Sequence, residues 1–415
     1  MLAVKALGLS LLFFTLIGHT YGQESKEDKD FKVYKLSLPT TEMTKKLIQS
    51  DVDVWSLDRE KNEATALIDS ESLKKYSSLS PRIDQARTNQ YIQNILANTN
   101  KDITSEYQCY RIVEKAYSDV EILQRDNTTL VEVEKIGESW QKLNKDKGYD
   151  LKVIKITNQA TADRKKPILF IDASIHAREM ATAELAMRFA ESLVSLYKTD
   201  PKIKDLLDNK QVHIVPFMNP DGRKVAEGIV YQRKNRNETA CRLSKKRQGI
   251  DLNRNFDTIG WGVGSGSQGS KSQCSDTYRG KHTHSEPETK ALVTYLRGIF
   301  PNTKTPTGMY ISLHSFSELI LLPNADKEDR GSDQYKKVTR IGQLLSKENG
   351  YKACIGDECL YAVHGSSDQW AFETFNIPSY TFELGKNFFE KCDFFEQDVL
   401  PKNLKALYKA LELLD

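Results

Sequence analysis

Residues 167–197 read PILFIDASIHAREMATAELAMRFAESLVSLY. The run Pro167-Asp172 is short, apolar and rich in Ile and Phe, which predicts a buried strand. From Ala181 to Tyr197 the apolar residues recur at helical spacing, which predicts a long helix packed on that strand. The same alternation recurs along the chain. Leu151-Thr157, Val212-Met218, Thr307-His314 and Ser379-Leu384 read as strands, while Glu286-Phe300, Gln334-Glu348 and the segment from Pro401 read as helices. Apolar strands between amphipathic helices imply an α/β domain from about Thr104 onward, with a mixed central sheet flanked by helices. In such sheets function collects on the loops at strand ends.

The N-terminal part has a different texture. Phe31-Leu38 alternates as a strand, a helix follows the Thr40/Thr41 cap, two short strands lie around Val52-Leu57 and Ala64-Ile68, and a helix is expected from Ser70. This order predicts a small α+β unit with an antiparallel sheet. A loop at Ser77-Pro81 precedes a helix-like segment containing Ile83, Ala86, Tyr91, Ile92, Ile95 and Leu96. Polar, unpatterned residues 98–105 then read as a linker open to trypsin-like cleavage at Lys101 or, earlier, at Arg87.

Composition sets outer bounds. The 415 residues are enough for one large folding unit and a small one, and 60 basic against 57 acidic side chains leave a net charge of +3. That balance gives no field for nucleic acid or an anionic membrane. Residues 1–22 read as a secretory signal: Lys5, an apolar stretch Ala6-Ile17, then the small-residue exit Thr20-Tyr21-Gly22. No other stretch has the length of a membrane span. Six cysteines in an oxidising compartment predict three disulfides. Cys354 with Cys359 and Cys241 with Cys274 would close loops, leaving Cys109 with Cys392 by elimination; the connectivity stays open. The sequons at Asn127 and Asn237 fit a secreted glycoprotein.

The chemistry begins at the strand-to-helix junction. His176 and Glu179, three residues apart, can converge on one point, although such a pair is a weak signal alone. Tyr310-Phe316 is a second apolar strand, and it delivers His314 at its carboxyl end. Two histidines and one glutamate on strand ends form the open three-ligand arrangement of a catalytic zinc site.

With these residues in place, the stretch 104–415 resembles the pancreatic-type metallocarboxypeptidases of the A/B group. The resemblance implies one Zn²⁺ per chain, held by His176, Glu179 and His314. Gly249-Asp257 is similar to the family's D-x-N-R-N block. It implies a clamp for a free carboxylate at Asn253 and Arg254, Arg178 in the substrate-binding set, and Asp251 as the carboxylate that orients His176. Guanidinium suits that clamp because it grips a carboxylate bidentately. Arg233-Arg236 resembles a segment whose first arginine, Arg233, holds the oxyanion. Tyr380-Leu384 resembles the strand that ends in the catalytic general base and acid, Glu383. Leu360-Trp370 aligns Tyr361 with a mobile lid tyrosine and Asp368 with the base of the side-chain pocket, where B-type members carry Asp and A-type members an apolar residue.

The resemblance therefore implies a secreted, extracellular, monomeric exopeptidase of carboxypeptidase B type. Its partners would be peptides and proteins with a free C-terminal Lys or Arg, with no nucleic acid and no membrane. Residues 23–101 resemble an inhibitory pro-domain with its connecting helix, released from the catalytic domain 102–415 by a trypsin-like protease. The alternatives are an A-type enzyme preferring apolar C-terminal residues, an inactive relative that binds peptide C-termini, a zinc endopeptidase, whose continuing chain the carboxylate clamp would obstruct, and a permanent accessory domain in place of the pro-domain. Two departures stand out: Phe316 replaces a family Tyr, and Gly385-Lys386 replaces Arg-Asp after the catalytic strand. His213 reads as a core residue, and His282, His284 and His364 are not expected to bind zinc.

Overall fold

The computed structural model describes residues 31–48, 50, 52–58, 60–97, 107–162, 165–228, 231–242, 247–263, 268–300, 307–325 and 328–415. The expected signal segment, the linker with Lys101 and the Lys245-Lys246 run lie outside the described residues. No described helix is long and apolar enough to cross a membrane.

The N-terminal unit runs β1 (Lys32–Ser37), α1 (Thr41–Ile48), β2 (Asp53–Asp58), β3 (Glu63–Ile68), β4 (Arg82–Ile83) and α2 (Gln85–Ala97). Its four strands form an antiparallel sheet in the order β2-β3-β1-β4. Thr40 does cap α1, its hydroxyl accepting the Met43 N–H at 3.2 Å. The helix expected from Ser70 is a 3-10 turn over Ser72–Leu79. Asp69 tightens its start by accepting the Glu71 and Ser72 N–H groups. Pro81 disfavours a helical conformation at Ser80, which instead sits at φ 47°.

The large unit comprises α3 (Val113–Asp126), β5 (Val131–Glu138), α4 (Trp140–Lys145), β6 (Asp150–Ile156), β7 (Ile168–Ala173), α5 (Met180–Tyr197), α6 (Pro201–Asn209), β8 (Gln211–Val215), α7 (Pro220–Ala226) and α8 (Pro287–Ile299). There follow β9 (Met309–His314), β10 (Leu319–Leu322), α9 (Asp333–Asn349), β11 (Lys352–Ile355), α10 (Gly356–Cys359), α11 (Ser367–Phe375), β12 (Ser379–Glu383), α12 (Cys392–Phe394) and α13 (Leu400–Glu412). The eight strands make one mixed sheet, ordered β11-β10-β12-β9-β7-β8-β6-β5. Its centre, β12-β9-β7-β8, is parallel.

Successive side chains of β7 point to opposite faces, and both faces are covered. Leu169, Ile171 and Ala173 pack in one core with α5, α9 and α13. Phe170 packs in the other with Tyr310, α8 and α11. The long apolar runs of the central strands are the consequence of this double burial. The disulfides Cys109–Cys392, Cys241–Cys274 and Cys354–Cys359 all form.

Beside the N-terminus of α8 two carboxylates are buried together. Asn235 Nδ2 donates to Glu286 Oε2 at 2.8 Å and to Glu288 Oε2 at 3.2 Å, and the Trp140 N–H donates to Glu288 Oε1 at 2.8 Å. Asn237 Nδ2 also donates to Glu286, at 2.9 Å, and Asn237 is 8% exposed, so this sequon reads as structural rather than as a sugar attachment point. Burial, and then the charge of Glu286, push Glu288 up from 4.5 to about 8. A folded-state value above the unfolded one means stability is fully present below pH 4.5 and is lost as pH rises toward 8. Glu288→Gln should therefore raise the melting temperature relative to the parent progressively from pH 5 to pH 9. The limit is about 1.4 kcal/mol per pH unit inside that window. A pH-independent difference in thermal melts would refute this.

Candidate active site

The parallel strands end at one edge of the sheet, and the registers bring three of them level. Asp172 lies opposite Ser312 on β7 and β9, and Glu383 lies opposite His314 on β12 and β9. Beyond β7 the chain turns through Ser174 at φ 54° and carries His176 into the site. Glu179 follows at the start of α5.

His176, Glu179 and His314 are all buried, and their ligand atoms lie within 4.8 Å of one another. The Nδ1 atoms of the two histidines are 3.1 Å apart, Glu179 Oε1 is 2.7 Å from His176 Nδ1, and Glu179 Oε2 is 3.0 Å from His314 Nδ1. A tetrahedral zinc with Zn–N bonds near 2.05 Å separates its ligand atoms by roughly 3.3 Å, so the donor set fits this ion. On its far side His176 Nε2 faces Asp251 Oδ1 at 3.3 Å, a carboxylate placed to hold the ring with Nδ1 toward the metal.

The charges are balanced around this point. Burial opposes ionisation of Glu179, but the imidazoles of His176 and His314 hold it well below the usual carboxylate range. Burial also opposes a charge on His314, yet Glu179 raises it to about 9. Burial and then Arg233 lower His176. Asp251 is held far below the usual range against its burial, chiefly by Arg233 and Arg254.

The other expected residues gather around the same point. Arg233 binds Asp251 Oδ2 through Nε at 3.0 Å and Nη2 at 2.8 Å, which aims Nη1 at the zinc site, 3.4 Å from His176 Nδ1. Arg236 instead contacts Gln232 and stays away from the site. Asn253 and Arg254 follow Asp251 in a single 3-10 turn, started by the Asn253 N–H donating to Asp251 Oδ1 at 3.0 Å. Arg254 Nη1 donates to the Asn253 carbonyl, and Nη2 reaches the Tyr361 hydroxyl at 3.4 Å. Glu383 lines the cleft; among the described residues its carboxyl makes no hydrogen bond or ion pair, and burial pushes it up to about 8.

Asp368 sits in the first turn of α11, 7% exposed, on a cleft wall shared with Arg254, Tyr361, Gly356 and Leu360. Among the described residues no hydrogen bond or ion pair reaches its carboxylate. Among the described residues the converging donor set holds no other histidine. His213 is a core residue bonded to Gln211 and Tyr295, and burial lowers it to about 3. Gly385, where the chain departs from the family pattern, takes φ +62° against Glu390, and that carboxylate also receives the Asn387 N–H.

The resemblance to a pro-domain implies docking over the zinc cleft; the particular contacts are not read from the sequence. The N-terminal unit lies across the cleft, whose lining includes Val52, Asp53, Val54 and Leu57. Arg178 Nη1 pairs with Asp53 Oδ1 at 2.7 Å, and its guanidinium covers the Phe388 ring. Trp55 stacks on Tyr231 with centroids 3.7 Å apart, and Ser56 bridges to Asn387. A cross-unit ion pair has no local pattern to announce it.

Comparison with known proteins agrees with this geometry. The family described as zinc carboxypeptidase matches residues 116–399. Carboxypeptidase B2 of Bos taurus is 31% identical over 292 residues, a match spanning 68% of this chain and 64% of that protein. Carboxypeptidase A4 of Mus musculus is 29% identical over 405 residues, covering 90% of each. The crystal structure of the carboxypeptidase A from Helicoverpa armigera shares the fold, with a TM-score of 0.72 at 22% identity, over 92% of this chain and 97% of that one. A two-histidine, one-glutamate site at the carboxyl edge of this sheet, with a match across most of the large unit, means that the chain belongs to the zinc carboxypeptidase family.

Proposed function

We propose that this chain is a zinc carboxypeptidase that removes C-terminal Lys or Arg and is restrained by its N-terminal unit until proteolysis. Relatives named as A-type and B-type match almost equally, at 29% and 31% identity, so the preference for basic residues rests on one observation. Asp368 presents a carboxylate that is 7% exposed and unpaired among the described residues in the cleft wall. A carboxylate so placed is stabilised by an incoming cation and left without a partner by an apolar side chain.

His176, Glu179 and His314 would hold the zinc ion, which supplies Lewis-acid activation of water and of the scissile carbonyl. Glu383 takes the proton of the attacking water and passes it to the departing amine nitrogen. Arg233, fixed by Asp251, presents Nη1 to the oxygen on which negative charge develops. Asn253 and Arg254 grip the terminal carboxylate, and Tyr361 closes over the last residue. Asp251 keeps the His176 ring oriented throughout.

The Asp53–Arg178 pair and the Trp55–Tyr231 stack support the inhibitory reading, because they hold a strand where an extended substrate would enter. Release by a trypsin-like protease is assigned to the segment containing Lys101, since Arg87 lies in the first turn of α2. The three disulfides support maturation in an oxidising, extracellular route.

The test compares peptides ending in Arg and in Phe, before and after trypsin, with and without a zinc chelator. Release of Arg alone, after trypsin and only without chelator, is expected. Release of Phe alone would overturn the pocket and keep the enzyme. Full activity before trypsin would overturn the restraint, and no release of either residue would favour a peptide-binding relative.

A further inference from the structure

Between β11 and the lid tyrosine the chain builds a small covalent ring. Cys354 lies on β11, opposite Leu321 of β10, and Cys359 is the last residue of α10; their disulfide closes a loop with a sequence separation of 5. The ring is fastened to the body of the protein. Asn324 Oδ1 accepts the Asp357 N–H at 3.1 Å, and Glu358 pairs with Arg330 at 2.6 Å, while Arg330 Nε donates to the Ala325 carbonyl at 2.8 Å. Gly356 within the ring and Leu360 just after it line the cleft.

Past the ring, backbone restraint stops. The Leu360 N–H donates to the Gly356 carbonyl at 2.9 Å, and the next main-chain bond is His364 N–H to the Gln268 carbonyl at 3.3 Å. Among the described residues the N–H groups of Tyr361, Ala362 and Val363 donate no hydrogen bond. The far end of this span is fixed again at Gly365. Its N–H donates to the Thr258 hydroxyl at 2.7 Å, and it lies so close to Arg254 that an added Cβ would meet the Arg254 carbonyl at 2.4 Å. Tyr361 is thus carried on a short unrestrained bridge between two anchors, one of them the disulfide ring.

We infer that the Cys354–Cys359 ring is a positioning device for Tyr361. A helix as short as α10 does not persist on its own in water. With the ring opened, the near anchor loosens and Tyr361 ranges more widely before it closes on substrate. The ordering cost then moves from folding to binding. The effect belongs to substrate capture and not to the proton transfers at Glu383. This inference rests on the proposed closing role of Tyr361.

The experiment uses the full-length chain, zinc-loaded and trypsin-treated, on a peptide ending in Arg. It compares the parent, the double variant Cys354→Ser/Cys359→Ser, Tyr361→Ala, and all three substitutions together. Opening the ring should raise KM about 10-fold with kcat changed less than about 2-fold, as expected for one or two residues that must be ordered at binding. In the Tyr361→Ala background the same opening should add less than about 2-fold, because both changes act through one side chain. An unchanged KM, a loss confined to kcat at full zinc content, or fully additive effects would overturn the positioning role. If Tyr361→Ala alone leaves KM unchanged, it is the reading of Tyr361 that falls. Should the serine pair fail to accumulate, Asn324→Ala removes the side-chain bond into the ring, and the KM rise is expected again, at smaller size.

Discussion

Replacing Glu383 by Gln should lower kcat by at least about 10³-fold while zinc content stays at one ion per chain, as read by atomic absorption. General acid–base catalysis by one positioned side chain contributes about 10²–10⁴-fold, and Glu383 would serve both proton transfers of the cycle. The substitution keeps the size of the side chain and removes only its basicity. The ligands should be untouched: Glu383 sits beside His314 in the sheet but is not among the three converging donors. On the proposed role the same carboxyl should set the acid limb of the pH profile. It must be ionised to accept a proton, so kcat/KM falls as pH drops through its value. Burial raises that value to about 8, and a bound divalent cation draws it back down. Retained hydrolysis in the glutamine variant would remove Glu383 from the mechanism.

The second large effect is expected at Asp368. Asp368→Asn should reduce kcat/KM for peptides ending in Arg by about 10²–10⁴-fold, since removing one member of a buried ion pair costs about 3–5 kcal/mol. Activity on peptides ending in Phe should hold or rise, because the amide no longer needs a cation. The substitution is nearly isosteric. The neighbouring Ser367 N–H, which donates to Asn253 Oδ1 at 2.9 Å, does not depend on the charge, so the carboxylate clamp should survive. An undiminished preference for Arg over Phe would show that the selector lies elsewhere in the pocket wall.

Much of this molecule was legible in order. His314 ends β9, His176 follows the turn just beyond β7, and both strands have apolar runs long enough to read, which burial on both faces explains. Arg233, Glu383 and Asp368, from three separate blocks, line the same cleft, and Asp251 bonds Arg233 there. What escaped the reading has physical reasons. β10 and β11 are four residues each, Leu319–Leu322 and Lys352–Ile355, too short to show a period. β5, Val131–Glu138, is an edge strand carrying four charged residues, so burial did not mark it. The Asp53–Arg178 pair joins residues far apart in the chain, and neither side chain is unusual in its own neighbourhood. The buried neighbours Glu286 and Glu288 look in sequence like an ordinary acidic start to a helix.

The strand order also sets a timetable. β9 and β10 are nearly consecutive in the chain yet do not pair; β12, with Glu383 at its end, lies between them. While the polypeptide is being made, the three donors of the metal site have all left the ribosome before that middle strand exists, and the sheet must wait with a gap at its centre. The Cys109–Cys392 link, spanning 283 residues, can close only later still. Insertion of a central strand from the last tenth of the chain is a long-range and therefore slow step. A nascent or truncated chain can thus collect its metal donors without the proposed base, so on that reading hydrolytic competence arrives as one of the last events of folding.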